Sequence, residues 1–216
     1  MPYRPDHRDA TKTAIVRAAR RLFNRHGFDG VSVGRIMAEA GLTHGGFYRH
    51  FASKSDLYAE ALQCFFTDPG WDSGWEGIEI DRAAPDVGPQ IIRAYLSHQH
   101  FENIDNSCPM VALPGDVARA GESAKRAYEG VFKAMVDILR RGARADRHTD
   151  RTVALAFAAL CVGGMVIARA SDDRVFADEL RQACTAVALR LAGWEQGARS
   201  RRRPKVTNRI RRTRIG

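Results

Sequence analysis

The side chains with the most distinctive chemistry in this 216-residue sequence lie between Ser32 and Lys54, where hydroxyl, imidazole and ammonium groups alternate with glycine. Hydroxyl and cationic groups bond phosphate oxygens, and polar groups on a short helix reach base edges in a major groove. Glycine on such a helix leaves room for close approach. The stretch therefore predicts a DNA-binding surface. Its candidate residues are His44, Gly45, Tyr48, His50 and Lys54.

The elements that must position these groups are short helices with clear start and stop residues. Apolar residues at helical spacing predict a first helix over about 9–26, which Gly27 ends. Ser32 is placed to cap a helix over about 33–40, and Gly41 ends that helix. Thr43 is placed to cap a third helix over about 44–51. Two short helices joined by a tight turn are typical of a helix-turn-helix.

A fourth helix is predicted to begin at Ser53, because Ser53 and Asp56 have the spacing of a capping box. Lys54 then lies in its first turn, where a cation opposes the helix dipole unless an anion binds there. A phosphate at this position would be attracted by the free N–H groups and by Lys54. In the preceding helix, Phe47 and Phe51 are expected to face inward.

This stretch resembles the DNA-binding domain of the TetR/AcrR family of bacterial repressors over about a quarter of the chain. The matching residues are Phe23, Gly27, Phe28, Ser32, Val33, Ile36, Ala40, Gly41, Leu42, Thr43, Gly45, Phe47, Tyr48, Phe51, Lys54 and Leu57. Val31 and Met37 depart from the family pattern, and Met37 adds bulk beneath the recognition helix. The resemblance implies three sets of DNA contacts. Phosphates are held by Thr43, Tyr48, His50 and Lys54, base edges are faced by His44, Gly45 and Gly46, and the backbone is approached by Ser32 and Arg35.

The net charge of +9 comes from one end of the chain. Residues 197–216 contain eight arginines, one lysine and no acid, and removing those nine leaves 25 basic residues against 25 acidic ones. This tail lacks an apolar face, so the sequence predicts that it is disordered. It is expected either to add nonspecific, salt-dependent DNA affinity or to be a solvated extension.

The remaining apolar patterns are helical and predict an all-α protein of about nine helices. Further helices are expected over about 54–66, 89–102, 110–119, 121–143, 152–170 and 173–191. We therefore predict a helix-turn-helix DNA-binding domain over 1–56, a C-terminal helical ligand-binding and dimerisation bundle over 57–196, and the basic tail over 197–216.

The helix over about 152–170 has almost no polar face, which in a small bundle requires cover on nearly all sides. A second subunit would supply that cover, and the resemblance implies a homodimer through the last two helices. The two helix-turn-helix domains of the dimer (residues 1–56 of each subunit), called here the reading heads, would then bind one duplex at two half-sites.

The resemblance also implies an effector cavity in the bundle. Candidate lining residues are Phe65, Phe66, Tyr95, Phe101, Met110, Tyr128, Phe132 and Phe157. Their composition favours an unknown small apolar or aromatic effector. The same aromatic stripe is equally the pattern of a plain core.

Cys108 is a redox candidate, because Pro109 suits the first position of a helix and would place the thiol at a helix N-terminus. That location lowers a thiol pKa and favours the reactive thiolate. The alternative for Cys108 is a buried, inert thiol. The four cysteines have no zinc-binding spacing, and we expect no metal and no cofactor.

The sequence as a whole predicts a homodimeric transcriptional regulator, most simply a repressor released from a pseudo-palindromic operator by a small molecule. One alternative is an oxidant- or electrophile-sensing repressor acting through Cys108. Another is a nonspecific nucleic-acid-binding protein driven by its tail. No polar catalytic cluster or apolar N-terminal signal is evident, and the longest apolar run is short for a membrane span. We therefore expect a cytoplasmic protein that is not an enzyme and does not bind a membrane.

Overall fold

The computed structural model describes residues 5–66, 80–81, 84, 86–141 and 150–194, and most of these residues are helical. The side chains of residues 5–7, Phe66 and Arg141 and the whole basic tail lie outside the described part. The α-helices are α1 (Pro5–His26), α2 (Val33–Glu39), α3 (Lys54–Gln63), α4 (Val87–Tyr95), α5 (His98–Glu102), α6 (Pro109–Ala112), α7 (Pro114–Arg119), α8 (Glu122–Arg141), α9 (Arg151–Arg169) and α10 (Arg174–Leu191). Two 3-10 helices span His44–Arg49 and Cys64–Phe66.

The predicted all-α class is confirmed in the described residues, with more helices than expected because three predicted helices are each divided. The helix expected over 54–66 consists of α3 and the 3-10 helix Cys64–Phe66. The helix expected over 89–102 breaks after Tyr95, where the Ser97 side chain accepts a hydrogen bond from the His100 N–H and begins α5. The helix expected over 110–119 breaks at Pro114, which has no N–H to continue the ladder.

Most of the predicted start and stop signals hold. The cap predicted at Thr43 is wrong, because the Thr43 hydroxyl makes no hydrogen bond to the 3-10 helix that follows it. The hydroxyl of Ser32 accepts from the Arg35 N–H at 3.2 Å, and that of Ser53 accepts from the Asp56 N–H at 3.1 Å. Gly27 and Gly41 follow their helices in the left-handed region, with φ of 71° and 70°. Such caps depend only on neighbouring residues, so sequence identifies them well.

Two apolar cores hold the described chain together, and both include residues of α8. The N-terminal core contains Phe23, Ile36 and Phe47 together with Leu113 and Val117 from the later part of the chain. α3 crosses the predicted boundary at residue 56, because its residues through Leu62 lie in the N-terminal core while Phe65, just beyond it, lies in the second. Tyr128 packs against both cores.

α9 packs on α8 and α10 with one face and leaves the other uncovered. Its buried face includes Phe157, Cys161, Gly164 and Met165. By length and composition α9 is the one helix in the described residues that meets the criteria for a membrane span, which core helices of soluble proteins also meet.

Candidate nucleic-acid interface

The 3-10 helix His44–Arg49, called here the recognition helix, carries a polar surface on a packed base. Phe47 and Phe51 are buried, as predicted, and their rings stack with centroids 5.7 Å apart. The next residue, Tyr48, is 65% exposed and lies edge-on to both Phe47 and His44. Thr43 precedes the helix without a capping bond from its hydroxyl. The side chains of Thr43, His44 and Tyr48 therefore face solvent together.

The two glycines of the recognition helix differ in their surroundings. A Cβ at Gly45 would meet nothing within 4 Å, whereas one at Gly46 would lie 3.5 Å from the terminal methyl of Met37. Met37 is buried beneath this helix, which agrees with the bulk expected from its sequence position. Gly45 thus lies on the open surface, and Gly46 is partly covered from below.

His50 lies among cations whose position near the recognition helix was not predicted from the sequence. Burial, followed by the charges of Arg8, Lys12 and Arg49, lowers the pKa of His50. Arg8 also donates to the carbonyl of Arg49, at 3.5 Å, linking the start of α1 to the recognition helix. Arg8 and Arg49 are both exposed, so this positive group adds to the predicted DNA contacts. The only sequence signal for this positive group is that Arg8 and Lys12 lie four residues apart on the polar face of α1.

Lys54 has different partners from the phosphate that its helix-start position predicted. Its ammonium donates to the carbonyl oxygens of Phe28 at 3.0 Å and Val31 at 3.1 Å, and lies 4.1 Å from the centre of the Phe28 ring. The turn between α1 and α2 is thereby fastened to α3. A phosphate contact at Lys54 stays a prediction.

Ser32 and Arg35 lie at the start of α2, as expected for groups near a DNA backbone. Ser32 serves as the cap, and the exposed guanidinium of Arg35 lies 2.8 Å from Nε2 of His26. That contact requires an unprotonated Nε2, because guanidinium is a donor only. Arg35 is therefore held at the exposed edge formed by α1 and α2.

The predicted effector-lining residues are packed side chains in this structure. Phe65, Tyr95, Met110 and Phe157 are buried in the C-terminal core, and Tyr128 donates from its hydroxyl to the Met110 carbonyl at 3.0 Å. The others differ in setting. Phe132 packs against that core from its edge, and the Phe66 side chain is outside the described part. Phe101 is buried in the core, with the guanidinium groups of Arg174 and Arg181 over its ring.

A small, shallow crevice lies elsewhere, between α1, α3 and α6. It is lined by Arg20, Phe23, Asn24, Tyr58, Ala61, Leu62, Pro109 and Leu113, and includes none of the predicted effector residues. Effector binding in the bundle stays a prediction.

Cys108 occupies the predicted position before α6, but its predicted pKa shift is wrong in direction. The side chain is fully buried, and burial raises the pKa of the Cys108 thiol to about 11. Desolvation of the thiolate outweighs the hydrogen bonds from Tyr95 and the Met110 backbone, which act in the opposite sense. The geometry therefore favours the inert thiol over the reactive one.

An exposed recognition helix seated on a packed helical core defines a helix-turn-helix protein. Comparison with known proteins agrees, since residues 15–61 match the family model described as bacterial regulatory proteins, tetR family. The transcriptional regulator AcrR of Shigella flexneri is 44% identical over 50 residues, which cover 23% of this chain and 23% of AcrR. The uncharacterized regulator YfiR of Bacillus subtilis is 28% identical over 79 residues, covering 37% and 35%.

Solved structures extend the likeness to the whole fold. The reduced form of E. coli NemR has a TM-score of 0.67 at 16% identity, covering 84% of this chain and 97% of NemR. A TetR family regulator from Agrobacterium tumefaciens has a TM-score of 0.62 at 22% identity, covering 83% and 98%. The sequence alignments span only about a quarter to a third of the curated relatives. Residues 15–61 therefore match the DNA-binding part of the TetR/AcrR family, and the described chain has the fold of solved TetR family regulators.

Proposed function

We propose that the protein is a cytoplasmic homodimeric repressor that binds a pseudo-palindromic operator and is released from it by a small molecule. The observation that carries this proposal is the recognition helix, where Tyr48 is 65% exposed beside the fully buried Phe47. An aromatic side chain that its own core leaves in solvent, next to two exposed polar residues, fits a surface that contacts DNA.

The charges near the recognition helix support the same proposal. The first 196 residues are formally neutral, so bulk attraction to DNA cannot come from the body of the protein. Arg8 and Arg49 nevertheless place positive charge beside His50, at the end of the recognition helix, where phosphates would lie. Placed cations of this kind set the register of a protein on a duplex.

Operator binding is tested by fluorescence anisotropy on the promoter upstream of the protein's own gene. Losing one hydrogen bond to a phosphate costs about 1.5 kcal/mol, so Tyr48→Ala should weaken a dimer's binding by about a hundredfold. Lys125→Ala, an exposed cation on α8, is the control and should bind as wild type does. Unchanged affinity in Tyr48→Ala would contradict the proposal.

Removal of residues 199–216 separates this function from nonspecific binding through the tail. If the tail drives binding, its removal should abolish affinity for every duplex while Tyr48→Ala leaves it unchanged. Under the proposal the order is reversed for the operator, and loss of the tail lowers mainly the salt dependence.

The uncovered face of α9 and α10 supports dimerisation. Six of the eight exposed large apolar side chains in the described residues lie on these two helices: Leu155, Ile167, Val175, Phe176, Val187 and Leu191. Exposed apolar side chains concentrated on two adjacent helices favour an association site there. Ile167→Glu should give a monomer by sedimentation with unchanged helicity, and Arg126→Glu on α8 is the matched control.

The effector is proposed to be apolar or aromatic, from the residues that line the C-terminal core. Entry would require Phe132, at the edge of that core, or Tyr128 to move, since the central aromatic side chains are buried. A fluorescent naphthalene dye offers a first probe, because displacement of labelled operator by the dye would support an effector site in the bundle. Dye binding that leaves the operator bound would argue against release by ligands of this class.

A further inference from the structure

The segment Asn103–Cys108, called here the junction loop, is attached to the end of α1. The side-chain amide of Asn24 donates to the carbonyls of Asp105 at 3.1 Å and Ser107 at 2.9 Å. The guanidinium of Arg25 binds both carboxylate oxygens of Asp105, each at 2.7 Å. A bidentate pair of this kind fixes orientation as well as distance. The junction loop therefore fastens to the helix that immediately precedes the helix-turn-helix.

The opposite side of the same loop is held by Arg169, in the last turn of α9. Its Nη1 donates to the Ser107 hydroxyl at 2.7 Å, its Nε to the Phe101 carbonyl at 3.1 Å, and its Nη2 to the carbonyls of His100 and Asn103. Three of these partners are carbonyls at the C-terminal end of α5, where helical carbonyls lack partners within the helix. Arg169 thus joins α9 to both α5 and the junction loop.

The interior of the loop is braced by a neutral histidine. Nδ1 of His100 lies 2.6 Å from the Tyr95 carbonyl, and Nε2 accepts from the Cys108 N–H at 3.3 Å. Burial lowers the pKa of His100 to about 3, so the ring stays neutral and Nε2 remains an acceptor. His100 and Ser107 are both fully buried. The loop is therefore held by hydrogen bonds to α1, to α9 and to the buried His100.

We propose that Arg169 is a positioning residue for DNA binding. Through the junction loop, it sets the orientation of the reading head relative to α9. The inference rests on the proposed function, in which α9 and α10 form the dimer interface and two heads bind one operator. Since α9 would be fixed by the partner subunit, its link to α1 sets the spacing of the two recognition helices. Nothing in the reading head itself would then need to change for operator affinity to change.

The first test follows amide hydrogen exchange in full-length protein without DNA. Arg169→Gln should speed exchange in the segment 24–30 by roughly tenfold, because the loop that holds Asn24 and Arg25 is released. Arg174→Gln is the matched control, since Arg174 reaches the neighbouring Glu102 at 2.6 Å but has no hydrogen bond or ion pair to the junction loop in the described residues. Unchanged exchange in Arg169→Gln would overturn the proposal whatever the DNA result.

The second test measures how strictly the protein reads half-site spacing. Wild type first selects a duplex from genomic fragments, and a second duplex carries one extra central base pair, which turns one half-site by about 34° relative to the other. Arg169→Gln should bind the selected duplex roughly 5- to 50-fold more weakly and lose most of the wild-type preference between the two spacings. Equal weakening on both duplexes, with the preference intact, would mean general destabilisation and would overturn the proposal.

A second variant removes the hydrogen bonds between α1 and the junction loop from the α1 side. Asn24→Ala should reproduce the loss of spacing preference, and the double variant with Arg169→Gln should be no worse than the more affected single variant. Additive effects would show that the two residues act separately, against the proposal. If wild type selects no DNA, the proposed function fails, while the exchange experiment still decides whether Arg169 holds α1.

Discussion

Alanine at Gly27 should destabilise the protein more than alanine at Gly41, although the two glycines have nearly the same backbone. Their φ values are 71° and 70°, so the left-handed strain on an alanine is the same at both. The surroundings differ, because a Cβ at Gly41 meets nothing within 4 Å while one at Gly27 would lie 2.7 Å from a carboxylate oxygen of Asp116. That oxygen also accepts from the Phe28 N–H at 2.9 Å.

The expected difference follows from that single contact. Left-handed alanine costs about 1–2 kcal/mol, offset by about 0.4–1 kcal/mol from the less flexible unfolded chain, so Gly41→Ala should lose about 1 kcal/mol. At Gly27 the Asp116 carboxylate must also move away from the Phe28 N–H. Losing a partly exposed bond to a charged acceptor adds about 1–2 kcal/mol.

Urea unfolding followed by circular dichroism, at one fixed protein concentration, measures both variants. In an Asp116→Ala background the added Cβ has no carboxylate to displace, so Gly27→Ala should cost no more than Gly41→Ala. Equal losses for the two variants in the wild-type background would refute the reasoning. So would an extra loss at Gly27 that persists without Asp116.

Three further outcomes are expected. Burial and neighbouring cations lower the pKa of His50 from its ordinary value, which favours the neutral ring in the free protein. A phosphate would raise that pKa, so operator affinity should increase as pH falls from 8 to 6. His50→Gln should flatten the dependence, and an unchanged slope would exclude His50. Iodoacetamide should label Cys108 only after denaturation, because burial raises the pKa of the thiol to about 11, and rapid labelling of folded protein would revive the redox alternative. Gly164→Ala should destabilise the protein by about 1–2 kcal/mol, since its Cβ would lie 2.6 Å from the Cys184 sulfur. Gly163→Ala, whose Cβ meets nothing within 4 Å, should not destabilise it. Equal melting temperatures for the two variants would contradict this prediction.

Sequence predicted the reading head well because its signals are local. Ser32, Ser53, Gly27 and Gly41 act on residues within one turn of themselves, and each has the predicted role. The recognition helix was predicted in place, but its 3-10 geometry was not. Its two adjacent glycines are poor formers of a regular α-helix, and the sequence does not say which alternative geometry they adopt.

Features that depend on distant parts of the chain were not predictable. Lys54 lies at a helix start, as expected, but its partners belong to the turn between α1 and α2. Cys108 precedes a helix, as expected, but its burial is decided by how the whole core closes around it. The bonds of Arg169 join residues more than 60 positions apart, and no spacing rule could have paired them.

The sharing of side chains between the two cores limits how the protein can be recombined. A chimera made by joining residues 1–56 to another sensor would leave behind Leu57, Leu62, Leu113 and Val117, which complete the N-terminal core. The transplanted head would keep its DNA-facing surface and lose part of its apolar support. A functional exchange of specificity should therefore replace only the exposed residues of the recognition helix, leaving α1, α3 and α7 in their native sequence.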